Sequence, residues 1–279
     1  MRPFHLLVGS VLLSAAVGSA IAADKKVVFL SGPDSHGKGE HSHLAGCVLL
    51  QEHLKGVPGI STVICTNTWP ENPAETFAGA ATLVLYADGG PGHPFLKDDR
   101  LKVIGELMDK GVGLICLHWA VEPTQRAVPS FIQWMGGAYE LNWSVNPMWT
   151  TEFKQFPKHP VTRGVKPFKV DDECYFHMRF AEGLKGVTPL LTAVAPPETM
   201  SRPDGPYEGN PAARESVKRG DPQTIAWAYE RPGGGRGFGY TGGHYHTNWT
   251  DPNLLRLMLN AIVWTAKADV PPHLFRALP

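Results

Sequence analysis

The 279-residue chain has no excess of charge of either sign, since 26 lysines and arginines balance 26 aspartates and glutamates. Without a basic field there is little to displace counterions from a phosphate backbone, so no nucleic-acid partner is expected. Long apolar runs are also scarce. The one candidate, MRPFHLLVGSVLLSAAVGSAIAAD, has a basic start, an apolar middle broken by Gly9 and Gly18, and a small-residue ending at Ala20, Ile21 and Ala22. It is short for a bilayer span of roughly 20 residues and reads as a secretory signal peptide over residues 1–22. The expectation is a secreted or periplasmic protein with residues 23–279 as a single domain, free of the membrane after signal cleavage. Its oligomeric state is left open, a homo-oligomer included.

Cysteine is sparse. Cys65 in ISTVICT, Cys116 in VGLICLHW and Cys47 on the apolar side of a helix read as core thiols rather than a disulfide framework, while Cys174 has no obvious environment. No repeat, heptad or low-complexity stalk is present, which argues against a scaffold role. RPGGGRG at 231–237 lacks the Lys-Ser/Thr pair and the helix opening of a phosphate loop, so it is expected to be a hairpin turn and no nucleotide is expected.

What is present is alternation of element types. KKVVFLSG, STVICT, AATLVLYADGG and VGLICLHW read as strands, and HLAGCVLLQEHL and DDRLKVIGELMDKG as helices between them. Strand and helix at this spacing give an α/β fold with a mostly parallel sheet, and runs such as VVFL that are apolar without alternation fit strands covered on both faces. The second half offers WTTEFKQF, PLLTAVA, QTIAWAYE and GRGFGYTGG as strands, with NLLRLMLNAIVWTAK as a closing helix capped by Asp251 and Pro252. The polar stretch between Pro196 and Pro222 has no apolar period and is expected to be a long surface loop.

Polar residues then fall where a parallel sheet collects chemistry. Ligands bind beyond the carboxyl ends of such strands, because loops and helix N-termini meet there. After the first strand come Asp34, His36, Glu40, His41 and His43; after YADGG, Asp88 and His93; after GLICL, His118, Trp119 and Glu122; after GFGYTGG, His244 and His246. Imidazoles gathered on one edge favour neutral rings, which bind a divalent metal or exchange protons. His41 is placed at or near its helix start, where the dipole would lower its pKa. For His43, His93, His177 and His246 a structural role is the better expectation, and no two candidate ligands have a diagnostic spacing.

The histidines, together with HPVTRGVKPFKVDDECY at 159–175, resemble the ThuA-like family, associated with trehalose utilisation, over almost the whole mature chain. The matching residues are His41 after the first strand, His118 in GLICLHWA, Asp172, Glu173 and Tyr175, and His244 in TGGHYHTNW. The resemblance implies a fold similar to class I glutamine amidotransferases: a flavodoxin-like sheet with helices on both faces and a site at the strand ends. Those relatives use a nucleophilic cysteine at a sharp strand-to-helix turn and a late histidine followed by an acid. Here His118 or Trp119 stands near that turn, Cys116 lies within the strand, and Thr247 or Asn248 follows His244, so thioester chemistry on glutamine is not expected.

The resemblance implies sugar metabolism, on an ordinary sugar or on an oxidised (3-keto) sugar or glycoside. Two functions remain in view. One is an exported enzyme, an isomerase, lyase or hydrolase, in which His41, His118 and His244, with Glu173 and Glu122, carry proton transfer. The three histidines would hold a divalent metal, zinc as first choice. Trp119, Tyr245, Trp249 and Asp88 would contact the carbohydrate, within a set of aromatics that includes Trp143 and Trp149. The other is a non-catalytic periplasmic sugar-binding protein that needs no metal.

Overall fold

Strands that are apolar on both sides need cover on both faces, and the chain supplies it. The computed structural model describes residues 24–271, so the signal peptide expected over residues 1–22 lies outside the described residues. In chain order the elements are β1 (Lys25–Ser31), α1 (His43–Leu54), β2 (Ile60–Cys65), α2 (Pro73–Phe77), β3 (Ala80–Tyr86), α3 (Arg100–Asp109), β4 (Gly113–Leu117) and α4 (Val128–Met135). There follow β5 (Gly137–Ala138), β6 (Met148–Phe153), β7 (Phe168–Glu173), β8 (Arg179–Phe180), β9 (Val187–Val194), α5 (Pro211–Lys218), β10 (Pro222–Glu230), β11 (Arg236–Tyr240) and α6 (Pro252–Thr265).

Seven strands form the central sheet in the order β2-β1-β3-β4-β11-β10-β9. The first five run parallel, and β10 and β9 each run antiparallel to the strand before them in that order. Strand order reverses direction between β1 and β3, and at such a switch point the outgoing loops diverge and leave a crevice at the carboxyl edge. The segments that carry His36, His41, His43, His93, His118, His244 and His246 leave from that edge.

Alternate strand residues feed two cores. Val27, Phe29, Val84, Tyr86, Ile115, Leu117, Phe238 and Tyr240 pack with α1 and α6 on one face. Val28, Leu30, Leu83, Leu85, Leu114 and Cys116 pack with α3 and α4 on the other. A fully buried side chain of this size contributes roughly 1.5–3 kcal/mol. Asp251 caps α6 as expected, its carboxylate accepting from Asn253 N and Leu254 N at 2.8 and 3.0 Å. Gly46 in α1 lets the helix close on the sheet, since a Cβ there would sit 2.6 Å from the Tyr86 ring.

Several expectations need amendment. The stretch between Pro196 and Pro222 is not all loop: α5 forms within it, capped by Asn210 and burying Ala213, Ser216 and Val217. FKVDDE forms β7, which pairs with β6 as a separate antiparallel ribbon. RPGGGRG is the expected hairpin turn, with Glu230 opposite Arg236. The four cysteines are free; Cys47, Cys116 and Cys174 are buried and Cys65 is half-buried. Among the described residues no helix is long and apolar enough to cross a membrane.

Candidate functional site

Each of the three histidines leaves a different parallel strand. His41 is 1 %, His118 0 % and His244 6 % exposed, so the rings meet out of bulk water. Nε2 of His41 lies 2.9 Å from Nδ1 of His244 and 3.1 Å from Nε2 of His118. Oε2 of Glu173, from the end of β7, lies 3.5 Å from Nε2 of His118 and 3.5 Å from Nδ1 of His244. Three ring nitrogens and a carboxylate oxygen thus lie within 4.8 Å of one another.

The backbone is shaped for this. His118 follows β4 at φ 55° and His41 stands at φ 39°, left-handed conformations that cost a non-glycine residue roughly 1–3 kcal/mol each. His41 is two residues before α1, near the helix start as expected; its N–H donates to the carbonyl of His244 at 2.9 Å. Asp172, wholly buried, accepts from the N–H groups of Gly243, His244, Tyr245 and Glu173 at 2.7–3.2 Å and so fixes the turn that presents His244. Strand alternation places Asp172 and Glu173 on opposite sides of β7, one anchoring the turn and the other reaching the rings.

Partners on the outer side of the rings settle which nitrogens carry protons. Nδ1 of His118 faces the carbonyl of Thr241 at 2.9 Å, which can only accept, so that nitrogen donates and Nε2 carries the lone pair of the neutral ring. Nδ1 of His41 donates likewise to Asp88 at 2.9 Å. Burial drops His41 to about 4, further lowered by the neighbouring imidazoles and opposed by Asp88. The two Nε2 atoms thus face each other across 3.1 Å. Each also has a protein donor within reach: Nδ1 of His244 stands 2.9 Å from Nε2 of His41, and the Tyr175 hydroxyl 3.3 Å from Nε2 of His118.

The carboxylates divide into two kinds. Burial acts to raise Glu173, but hydrogen bonds and charge from His118 and His244 outweigh it and hold the carboxyl at about 2. Burial likewise acts to lower His244, and Glu173 outweighs it, leaving that ring above the ordinary histidine value. Glu122, 3 % exposed, is pushed by burial up to about 7, although Trp119 Nε1 and the Tyr207 hydroxyl donate to it at 2.8 and 3.2 Å. At neutral pH one carboxyl is permanently ionised and the other stands ready to exchange a proton.

The donor set suits a divalent ion. Two nitrogens about 2.1 Å from one ion lie about 3.0 Å apart at right angles and about 3.4 Å apart at the tetrahedral angle. The observed 2.9 and 3.1 Å match the former. Imidazole and carboxylate together accommodate zinc, iron or nickel, and the outward N–H bonds to Asp88 and Thr241 are the supports such ligands use.

Not every expected residue joins the centre. Asp88 lies on the outer side of His41, bonded to its Nδ1, and Ser35 bridges both. Trp249 cannot stack on a sugar, because it is 1 % exposed and packed against Tyr86 in the core. Trp149 is also buried, its indole N–H donating to the carbonyl of Cys174. Trp143 is covered by the Arg179 guanidinium at 3.5 Å and by the His177 ring at 4.4 Å. Trp119 and Tyr245 remain half-buried at the rim, with ring centroids 5.9 Å from His41 and 4.8 Å from His244.

Residues that the sequence did not single out complete the wall. Asn146 donates to Glu173 at 3.0 Å and accepts from Arg202 at 2.9 Å. Tyr207 comes from a stretch without any period, so nothing in the sequence could have placed it. Cys116 lies wholly buried inside β4 with its thiol held high by burial, so an amidotransferase-type nucleophile is not available there.

The family model described as trehalose utilisation, ThuA, matches residues 36–265. A putative ThuA-like protein from Bacteroides uniformis superposes with a TM-score of 0.60 at 17 % identity, covering 91 % of this chain and 95 % of that one. One from Parabacteroides merdae gives 0.56 at 15 % identity, covering 88 % and 91 %. A glutamine amidotransferase from Thermotoga maritima gives 0.46 at 10 % identity, covering 88 % and 99 %. No curated protein matches the sequence.

Proposed function

We propose, from the premise that this chain belongs to the ThuA family of trehalose-utilisation proteins, that it is an exported enzyme acting on a sugar or 3-keto sugar through the His41, His118, His244 and Glu173 centre. The observation that carries the reading is the convergence of ring nitrogens of His41, His118 and His244 and a Glu173 oxygen within 4.8 Å of one another. A divalent cation fits the four donor atoms and would supply polarisation of a ligand oxygen.

The chain's own groups have separable tasks. His41 and His118 present lone pairs because Asp88 and Thr241 hold their other nitrogens. Glu173 neutralises charge at the centre. Glu122, with its carboxyl at about 7, takes or returns a proton on the ligand. Trp119 and Tyr245 offer ring surface at the rim for a sugar face. Export rests on the leader-like start of the sequence.

The rival reading is a sugar-binding protein without turnover. Screening trehalose, other disaccharides and their 3-keto forms, with and without a chelator, separates the two. The enzyme reading expects product formation that the chelator abolishes and zinc, iron or nickel restores. Sugar binding of equal strength with and without chelator, and no product from any of them, would support the rival.

A further inference from the structure

Beside the histidine centre lies a group of hydroxyls whose arrangement the proton and metal chemistry leaves unexplained. Tyr139 is 0 % exposed and its hydroxyl has no hydrogen-bond partner among the described residues. An unpaired buried hydroxyl costs about 1–3 kcal/mol, so its retention asks for a reason. Among charged neighbours, Glu122 acts on Tyr139 most strongly, ahead of Glu173 and Arg202. The Tyr139 ring stands edge-on to Tyr175 at 5.4 Å and lies 6.0 Å from Tyr207. Tyr175 in turn stacks on His118 at 4.8 Å, with its hydroxyl 3.3 Å from Nε2. The Tyr175 hydroxyl therefore borders the proposed reaction centre, with Tyr139 packed on the Tyr175 ring and the Tyr207 hydroxyl on Glu122.

The segment from Arg202 to Tyr207 is tied down over this wall. Asn142 N donates to the carbonyl of Pro206 at 2.9 Å, and Asn146 N to that of Tyr207 at 3.0 Å. Through Arg202 and Asn146 the same segment is linked to Glu173.

We propose that Tyr139, Glu122 and Tyr207 form a subsite for one hydroxyl group of a neutral polyol bound next to the histidine centre. A hydroxyl both accepts and donates, so it can take the unused Tyr139 proton and donate to the Glu122 carboxylate. A bare carbonyl could do only the first. A carboxylate or phosphate would face Glu122 and Glu173, so sugar acids and sugar phosphates are disfavoured. The proposal rests on the carbohydrate reading above, and adds which ligands the site takes.

The test compares wild type with Tyr139→Phe, both loaded with zinc, by calorimetry with trehalose, its monodeoxy analogues, glucuronic acid and glucose 6-phosphate. Trehalose is expected to bind wild type at least about tenfold more tightly than either anionic sugar. Y139F is expected to weaken trehalose by about tenfold, the loss of one buried hydrogen bond. One monodeoxy analogue is expected to bind wild type and Y139F equally. The melting temperature of Y139F should not fall, because the hydroxyl has no partner in the protein. Equal trehalose affinity in both proteins overturns the subsite while leaving the carbohydrate reading intact. A wild type that takes zinc but no neutral sugar overturns both.

Discussion

Two buried histidine environments lie at the carboxyl side of the same sheet, and they differ in where the ring nitrogens go. His93, after β3, is 1 % exposed and packs against Phe95 and Phe131. Its Nε2 donates to the carbonyl of Ala120 and its Nδ1 accepts from Phe95 N, both at 3.1 Å. Both nitrogens are satisfied by backbone. In the cluster of His41, His118 and His244, the outward nitrogens of His41 and His118 are held by the Asp88 carboxylate and the carbonyl of Thr241, and the inward ones meet other side chains of the cluster. Burial alone therefore does not mark a site. What distinguishes the cluster is that its inward ring nitrogens and a Glu173 oxygen converge on one point.

The comparison breaks most visibly at His118. Replacing it with Ala should remove one proposed ligand and lower turnover by about a thousandfold, about 4 kcal/mol of transition-state stabilisation. The check is kcat with metal in excess, beside a circular dichroism spectrum to show that the fold persists. Loss of less than about tenfold would move the centre away from these imidazoles.

His93 should instead reveal itself through acid stability. Burial drops it to about 4, so between that value and the ordinary 6.5 the folded chain binds fewer protons there than the unfolded chain. Stability contributed by the neutral ring is complete above pH 6.5 and falls as pH drops toward 4, by roughly 3 kcal/mol in total. Denaturant unfolding at a series of pH values measures this. In His93→Gln the decline over that window should be shallower, and an unchanged slope would contradict the assignment.

Asp88 sharpens the contrast at the smallest scale, because it meets His41 at the outward nitrogen and not at the inward one. Asp88→Asn should weaken metal affinity by about 10–100-fold with little change in stability, as loss of an orienting partner does. A competition titration against a chromogenic chelator gives the number. Unchanged affinity would mean that Asp88 does not orient the ring.

Much of the frame was legible in the sequence because buried parallel strands are apolar on both faces. VVFL, TLVLY and GLICL announced β1, β3 and β4, and the position of the histidines after them followed from the general behaviour of parallel sheets. Helix α5 was hidden by charge: only Ala213, Ser216 and Val217 face inward, too few to set a period against Arg214, Glu215 and Lys218. β7 was obscured in the same way by Asp171, Asp172 and Glu173, acids in a strand whose function uses them. Within the site, the imidazoles could be named but their supports could not. Asp172 works through four backbone N–H groups and Tyr139 through an unused hydroxyl, and neither leaves a pattern in the chain. Trp249 misled because an aromatic near a strand end fills a core as readily as it lines a pocket.

The central claim, that the inward nitrogens of His41, His118 and His244 accommodate a cation with Glu173, is tested most directly by elemental analysis of the full chain purified without an affinity His tag and dialysed after exposure to zinc, iron or nickel. The account predicts about one ion per chain in the wild type and none retained in His118→Ala. A wild-type chain that emerges from dialysis with no bound metal of any of the three, or a variant that keeps as much as wild type, would contradict it.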